Sequence, residues 1–277
     1  MRFKIIFFLL FAICFEVKAT HVIGGTMTYE CLGNNNYRIS FTMLRDCING
    51  VAQFDAPAAV GIFDNKGNLL TKLGNKGIVY LYYTKQSIPL DRSLIKDACI
   101  LAPIPTDCIE EAKYTADIVL PFRAGGYNLI YQRCCRNMVI QNIVEPLFTG
   151  ASWNVVLPET GLKTCNSSPF FKKWSPTLLC AGKEYNFDHS AIDTDSDSLV
   201  YSLWTPQRFN QESAIPIPVP PNNQSSDISW IPNVYSENNQ LGGSTNPFSI
   251  DPRTGMISAI PQNLGHFLLG IKVQEYR

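Results

Sequence analysis

The 277-residue chain predicts an all-β protein. Three observations carry that reading: short β-branched and aromatic runs, turn formers spaced closely between them, and almost no stretch with an apolar period near 3.6 residues. The runs are Tyr37-Arg-Ile-Ser-Phe-Thr-Met-Leu44, Ala59-Val-Gly-Ile-Phe63, Ile78-Val-Tyr-Leu-Tyr-Tyr83, Tyr114-Thr-Ala-Asp-Ile-Val-Leu120, Tyr127-Asn-Leu-Ile-Tyr-Gln-Arg133 and Trp153-Asn-Val-Val-Leu157. Gly33-Asn-Asn-Asn36, Asp64-Asn-Lys-Gly67, Gly74-Asn-Lys-Gly77 and Gly125-Gly126 punctuate them. Strands at this spacing predict β-sandwich packing. Helix is expected only as a turn around Arg92 to Lys96 or near Glu110 to Ala112. The polar, proline-punctuated segments Lys163-Thr-Cys-Asn-Ser-Ser-Pro169 and Lys172-Lys-Trp-Ser-Pro176 mark a boundary. Two β-sandwich modules in tandem follow, over 20–162 and 178–277, joined by a linker over 163–177. Inside the second, Ile215-Pro-Ile-Pro-Val-Pro-Pro221 reads as an extended polyproline II insertion, a stiff loop or else a partner ligand.

The first nineteen residues stand apart. Met1-Arg-Phe-Lys4 is basic, Ile5 to Phe15 is an unbroken apolar run, and Val17-Lys-Ala19 sets small residues at the −3 and −1 places. Eleven apolar residues are too few to span a bilayer, so the segment reads as a secretory signal cleaved after Ala19. A lipoprotein start at Cys14 is the alternative, but Ile13 puts bulk where a small residue belongs. Cleavage takes three basic residues and one acidic residue away, leaving 20 basic against 22 acidic. Nothing basic or clustered suggests nucleic acid, and no later apolar run is long enough to cross a membrane.

Cleavage also removes one of nine cysteines. The even set that remains, Cys31, Cys47, Cys99, Cys108, Cys134, Cys135, Cys165 and Cys180, predicts disulfides formed in an oxidising compartment. Zinc is the competing use, but there is no C-x-x-C, and His21, His189 and His266 are scattered singly. Adjacent Cys134 and Cys135 point to opposite faces of a strand, so each needs a distant partner. The expected pairs are Cys99 with Cys108 and Cys165 with Cys180. Cys31 and Cys47 are then left for Cys134 and Cys135, in either order. Arg45-Asp46 and Arg133 with Arg136 read as groups for ion pairs supporting this region, with a carboxylate-binding patch as the alternative.

One segment suggests a ligand. Asp193, Asp195 and Asp197 alternate just ahead of the strand-like Leu199-Val-Tyr-Ser-Leu203, which on an extended chain puts three carboxylates on one side. They match the first, third and fifth places of an EF-hand loop, but Ser198 stands where glycine is needed and Trp204 where a bidentate glutamate is needed. A β-edge calcium site remains, against the alternative of a solvated Asp/Ser turn. Calcium takes about 6 to 8 oxygens, so Asp251, Asp188 or Glu275 has to contribute as well. A second segment, Phe248-Ser-Ile-Asp251-Pro-Arg-Thr-Gly255-Met-Ile257, reads as strand, tight turn and strand.

Ala191 through Leu203, Asp251 through Ile257 and Gly265-His-Phe-Leu-Leu-Gly-Ile-Lys-Val273 together resemble cadherin-like and bacterial immunoglobulin-like repeats. The first module has a resemblance of its own. Thr20-His-Val-Ile-Gly-Gly25, Met27-Thr-Tyr-Glu-Cys31, Arg45-Asp-Cys47 and, most specifically, Tyr131-Gln-Arg-Cys-Cys-Arg-Asn137 look like secreted surface proteins of Bacteroidetes-type bacteria. That resemblance implies an association with gliding motility and type IX secretion. It also implies further β-sandwich repeats and a C-terminal sorting domain, whereas this chain stops at Gln274-Glu-Tyr-Arg277, just after a strand.

No G-x-S-x-G, H-E-x-x-H or phosphate-binding glycine loop is present, and Glu110-Glu111 alone does not make a glycosidase. The expected function is therefore non-catalytic: a secreted or outer-surface protein for adhesion, or a structural stalk, stiffened by Ca²⁺. Its partners would be other surface proteins or glycans. An accessory carbohydrate- or protein-binding module of a degradative enzyme is the alternative, with Tyr80, Tyr82, Tyr83 and Trp174 as candidate contacts. Asn166-Ser-Ser and Asn223-Gln-Ser match the glycosylation sequon without a bacterial role.

Overall fold

The structure, a computed structural model, describes residues 22–46, 53–89, 109–134, 136–174, 179–209, 219–221, 225–243 and 246–277. The signal segment and the Cys99–Cys108 pair lie outside them, as does the helical turn expected at Arg92 to Lys96. The described chain is nearly all β. The first seven strands are β1 (Val22–Gly33), β2 (Asn36–Asp46), β3 (Ala58–Phe63), β4 (Ile78–Pro89), β5 (Ile109–Val119), β6 (Tyr127–Arg133) and β7 (Ala151–Leu157). Helix α1 (Glu159–Thr164) follows. Shorter strands come next: β8 (Phe170–Phe171), β9 (Tyr185–Asp188), β10 (Ala191–Ile192), β11 (Ser198–Leu203), β12 (Gln207–Phe209), β13 (Ser225–Asp227), β14 (Ser249–Ile250), β15 (Met256–Ala259) and β16 (Ile271–Tyr276).

Each of the six sequence runs falls in one of β2 to β7, and their alternation sets which face is buried. Tyr37, Ile39, Phe41 and Met43 of β2 are buried, while Arg38, Ser40 and Thr42 between them are half-exposed. The same holds on β5, where Ala112, Tyr114 and Ile118 are buried. Antiparallel pairing joins nine strands in the order β1-β2-β5-β4-β3-β6-β7-β12-β13. Strand β4 pairs with both β5 and β3, and the two halves of the ribbon close over one core. There Phe41 meets Tyr131 of β6 at 4.7 Å and Trp153 of β7 at 5.6 Å between ring centroids. Burying each such aromatic contributes about 1.5–3 kcal/mol. Closure brings β1 against β7, and a Cβ on Gly25 would lie 2.9 Å from the Thr42 carbonyl oxygen and 3.1 Å from Trp153 Nε1. Only glycine fits there.

The chain beyond residue 178 adds to this sheet. Strand β12 pairs beside β7, with Gln207 opposite Ser152, and β13 pairs beside β12. A second core gathers Leu241, Phe248, Ile257 and Ala259. A third, smaller one sets Ile143 of the earlier chain against Ile228 and Leu268. Fully buried Asn142 connects them, donating to the Gln240 and Leu268 carbonyls at 2.8 Å and accepting from the Leu268 N–H at 2.9 Å.

Helix formation differs from expectation. Glu110 to Ala112 lies in β5 opposite Arg45, Leu44 and Met43, so strand pairing overrides local propensity. The helix instead spans Glu159–Thr164, where Lys163 bonds Glu159 at 2.7 Å across one turn and Cys165, in the left-handed region, ends it.

Candidate metal centre

The three aspartates do not run along an extended strand. Asp193 to Asp197 forms a bend between β10 and β11, with Ser196 at φ +66°. The cause is local: Asp193 Oδ1 accepts the N–H groups of Asp195 at 2.9 Å and Asp197 at 3.0 Å, and this wraps the chain around its own carboxylate. Asp195 turns away and accepts the Ser167 N–H at 2.6 Å. Asp251 caps its own turn, accepting from the Arg253 and Thr254 N–H groups at 2.9 and 2.8 Å, and Asp188 bonds the Ser190 N–H at 3.0 Å. Gly255, at φ +72°, closes that turn between β14 and β15 as the sequence predicts.

Of the acids expected to contribute, Glu275 joins Asp193 and Asp197, whereas Asp195, Asp251 and Asp188 stand outside the group. Antiparallel β11 and β16 set Leu199 opposite Glu275 and Ser198 opposite Tyr276. That register brings ligand oxygens of Asp193, Asp197 and Glu275 within 4.8 Å of one another, the one such acidic group among the described residues. Within these residues Asp193 Oδ2 and Glu275 Oε2 are buried with no hydrogen-bond donor. Glu275 Oε1 accepts from the Asn166 side-chain amide. Arg277 supplies positive charge at the edge, its Nε lying 2.7 Å from Asp197 Oδ1 and its Nη2 3.8 Å from Asp195.

Burial first, and then the nearby charges of Asp193 and Asp197, push the Glu275 carboxyl up to about 7. Without a cation the folded state thus favours the protonated acid. Its stabilising contribution is full below the ordinary glutamate value and is lost as pH rises through about 7. A divalent ion reverses this balance by taking the proton's place.

The cysteines pair differently from expectation. Cys31 of β1 is bonded to Cys165, with Cα atoms 5.4 Å apart, so neither Cys165–Cys180 nor Cys31 with Cys134 or Cys135 forms. The turn at the end of α1 carries Cys165 back onto β1, a long-range approach that no spacing reveals. Cys134 and Cys180 are disulfide-bonded as well. Cys47, Cys99, Cys108 and Cys135 lie outside the described residues.

Arg45 and Arg133 form ion pairs with residues far away in the sequence. Arg45 Nη2 lies 2.6 Å from Glu110, and buried Arg133 lies 2.8 Å from buried Asp55, whose carboxylate also accepts the Tyr131 hydroxyl. Arg136 is buried and donates to the Gln207 carbonyl at 2.9 Å. His189 is buried against Phe171, with ring centroids 4.2 Å apart, and its burial lowers its pKa.

Of the aromatic candidates, Tyr82 is 61% exposed, while Tyr83 stacks on buried Tyr114 at 4.6 Å. Tyr80 and Trp174 are half-buried. Tyr82 stands opposite Thr115, which continues through Ser40 to Thr28 as one cross-strand row on the outer face. Compared with known proteins, the chain matches no family model, no curated protein and no solved structure.

Proposed function

We propose that this is a non-catalytic, exported surface protein of the gliding-motility and type IX secretion-associated kind, serving adhesion or a stalk of immunoglobulin-like modules. A calcium ion at Asp193, Asp197 and Glu275 stiffens it. The observation that carries the calcium part is the pair of buried oxygens, Asp193 Oδ2 and Glu275 Oε2, that face no donor within an acidic cluster. Buried acceptors are ordinarily satisfied, and a hard cation coordinated by oxygen satisfies several at once. The Cys31–Cys165 disulfide supports the exported setting, since such bonds persist in oxidising compartments.

Calcium that binds the folded state raises the unfolding midpoint. With a dissociation constant of about 10⁻⁴ to 10⁻³ M, typical of extracellular sites, roughly 10 mM calcium raises the midpoint by about 3–8 °C over chelator at pH 8. The shift shrinks toward pH 6, where the proton on Glu275 competes. Glu275→Gln removes the calcium response and the pH dependence while holding or raising stability in chelator. Equal midpoints for the parent protein in calcium and chelator at pH 8 would rule the site out.

The second reading, a glycan-binding module, draws on the outer row from Tyr82 through Thr115 and Ser40 to Thr28. An exposed aromatic ring offers a stacking surface, and hydroxyls beside it offer hydrogen bonds. Affinity electrophoresis in polysaccharide gels tests it. Retardation that Tyr82→Ala abolishes supports this reading; unretarded migration across neutral and acidic polysaccharides removes it.

A further inference from the structure

The segment Cys165 to Ser168, which reads as a linker, lies between β1 and the acidic cluster. Toward β1, Cys165 is bonded to Cys31, Ser167 Oγ accepts the Cys31 N–H at 3.1 Å, and Ser168 exchanges two bonds of 2.9 Å with the Tyr29 backbone. On the other side the Ser167 N–H reaches Asp195, and the Asn166 amide nitrogen reaches Glu275 and the Ser167 carbonyl. Asn166 is 3% exposed, and its Oδ1 is buried with no donor. Burial on this scale leaves no room for a glycan on the sequon. It leaves a neutral oxygen, on the same amide whose nitrogen reaches Glu275, in the same donorless condition as Asp193 Oδ2 and Glu275 Oε2. Asparagine carbonyls are ordinary calcium ligands, and a carboxylate trio benefits from a neutral fourth oxygen that adds no repulsion.

We infer that Asn166 completes the cation site with its side-chain carbonyl and that the Cys31–Cys165 disulfide holds it in place, so that a bound divalent cation fastens the edge of β1 to the β11–β16 pair. This rests on the calcium reading of the Asp193, Asp197 and Glu275 cluster. The disulfide acts as a positioning element: it fixes the residue next to the ligand, and the β1 bonds of Ser167 and Ser168 fix the other flank. Such supporting contacts typically change metal affinity by about 10- to 100-fold when removed.

Titration calorimetry with calcium chloride on the oxidised full chain tests the inference. Asn166→Leu, close to isosteric, weakens binding at least about tenfold, and Cys31→Ser/Cys165→Ser weakens it by a similar factor with far-UV circular dichroism unchanged. Asn166→Asp keeps an oxygen at this position and retains calcium binding that Asn166→Leu loses. It also serves if the leucine variant fails to fold. Parent-like affinity in Asn166→Leu, or loss of binding in Asn166→Asp, overturns the role of Asn166 while the calcium reading stands. Absence of binding by the parent protein up to millimolar calcium removes both.

Discussion

Asp55→Ala will destabilise the protein by about 3–5 kcal/mol, the usual consequence of removing one partner from a buried ion pair. Arg133 and Asp55 have side chains only 3% and 4% exposed, and their nearest atoms are 2.8 Å apart. The guanidinium also donates to the Gln53 carbonyl at 2.6 Å and touches Met43 sulfur at 3.9 Å, but its Nε has no acceptor. Without the carboxylate, a full positive charge stays inside the β1–β7 core, and the Tyr131 hydroxyl loses its acceptor. Burial already raises the Asp55 pKa despite the opposing pull of Arg133 and Tyr131, so the pair is costly to bury and sensitive to imbalance. The double variant Asp55→Leu/Arg133→Met should therefore recover most of the loss. Urea unfolding of the parent and the two variants measures this. A single-variant loss under about 1 kcal/mol would show that water reaches the site and that the pair is ordinary surface chemistry.

Cys31→Ser/Cys165→Ser should cost about 2–5 kcal/mol, near the top of the disulfide range, because the bond spans 134 residues. The chain-entropy model alone gives about 5 kcal/mol for a loop of that length, far more than the short Cys165–Cys180 loop expected from the sequence would contribute. The effect sits mostly in the unfolded state, so it should appear in the unfolding midpoint in chelator as well as in calcium. Non-reducing peptide mapping checks the connectivity directly, and a Cys165–Cys180 peptide there would refute it. If stability proves indifferent to the double substitution while mapping confirms the bond, the unfolded chain is already compact around β1 and α1.

The all-β class, the six main strands and their buried faces were legible in the sequence because a two-residue period is a local property. Tyr37, Ile39 and Phe41 declare an inner face whatever they later pack against. The Asp251 to Gly255 turn was legible for the same reason, since Asx bonding and a positive φ at Gly255 are decided within five residues. Asp193 and Asp197 were also visible as candidate ligands, but the bend they form was not, because the Asp193 carboxylate captured the backbone amides ahead of it. Everything that depends on register between distant strands was hidden. Glu275 was one of three acids the sequence offered, and only the β11–β16 pairing selects it; Asn166 is brought beside it by the left-handed turn at Cys165, and Arg133 finds Asp55 because β6 runs through the core. Local sequence determined which residues face inward or turn. Only the tertiary structure decided which buried polar groups meet, because that depends on closing loops of about a hundred residues, at a cost repaid only by the shared core.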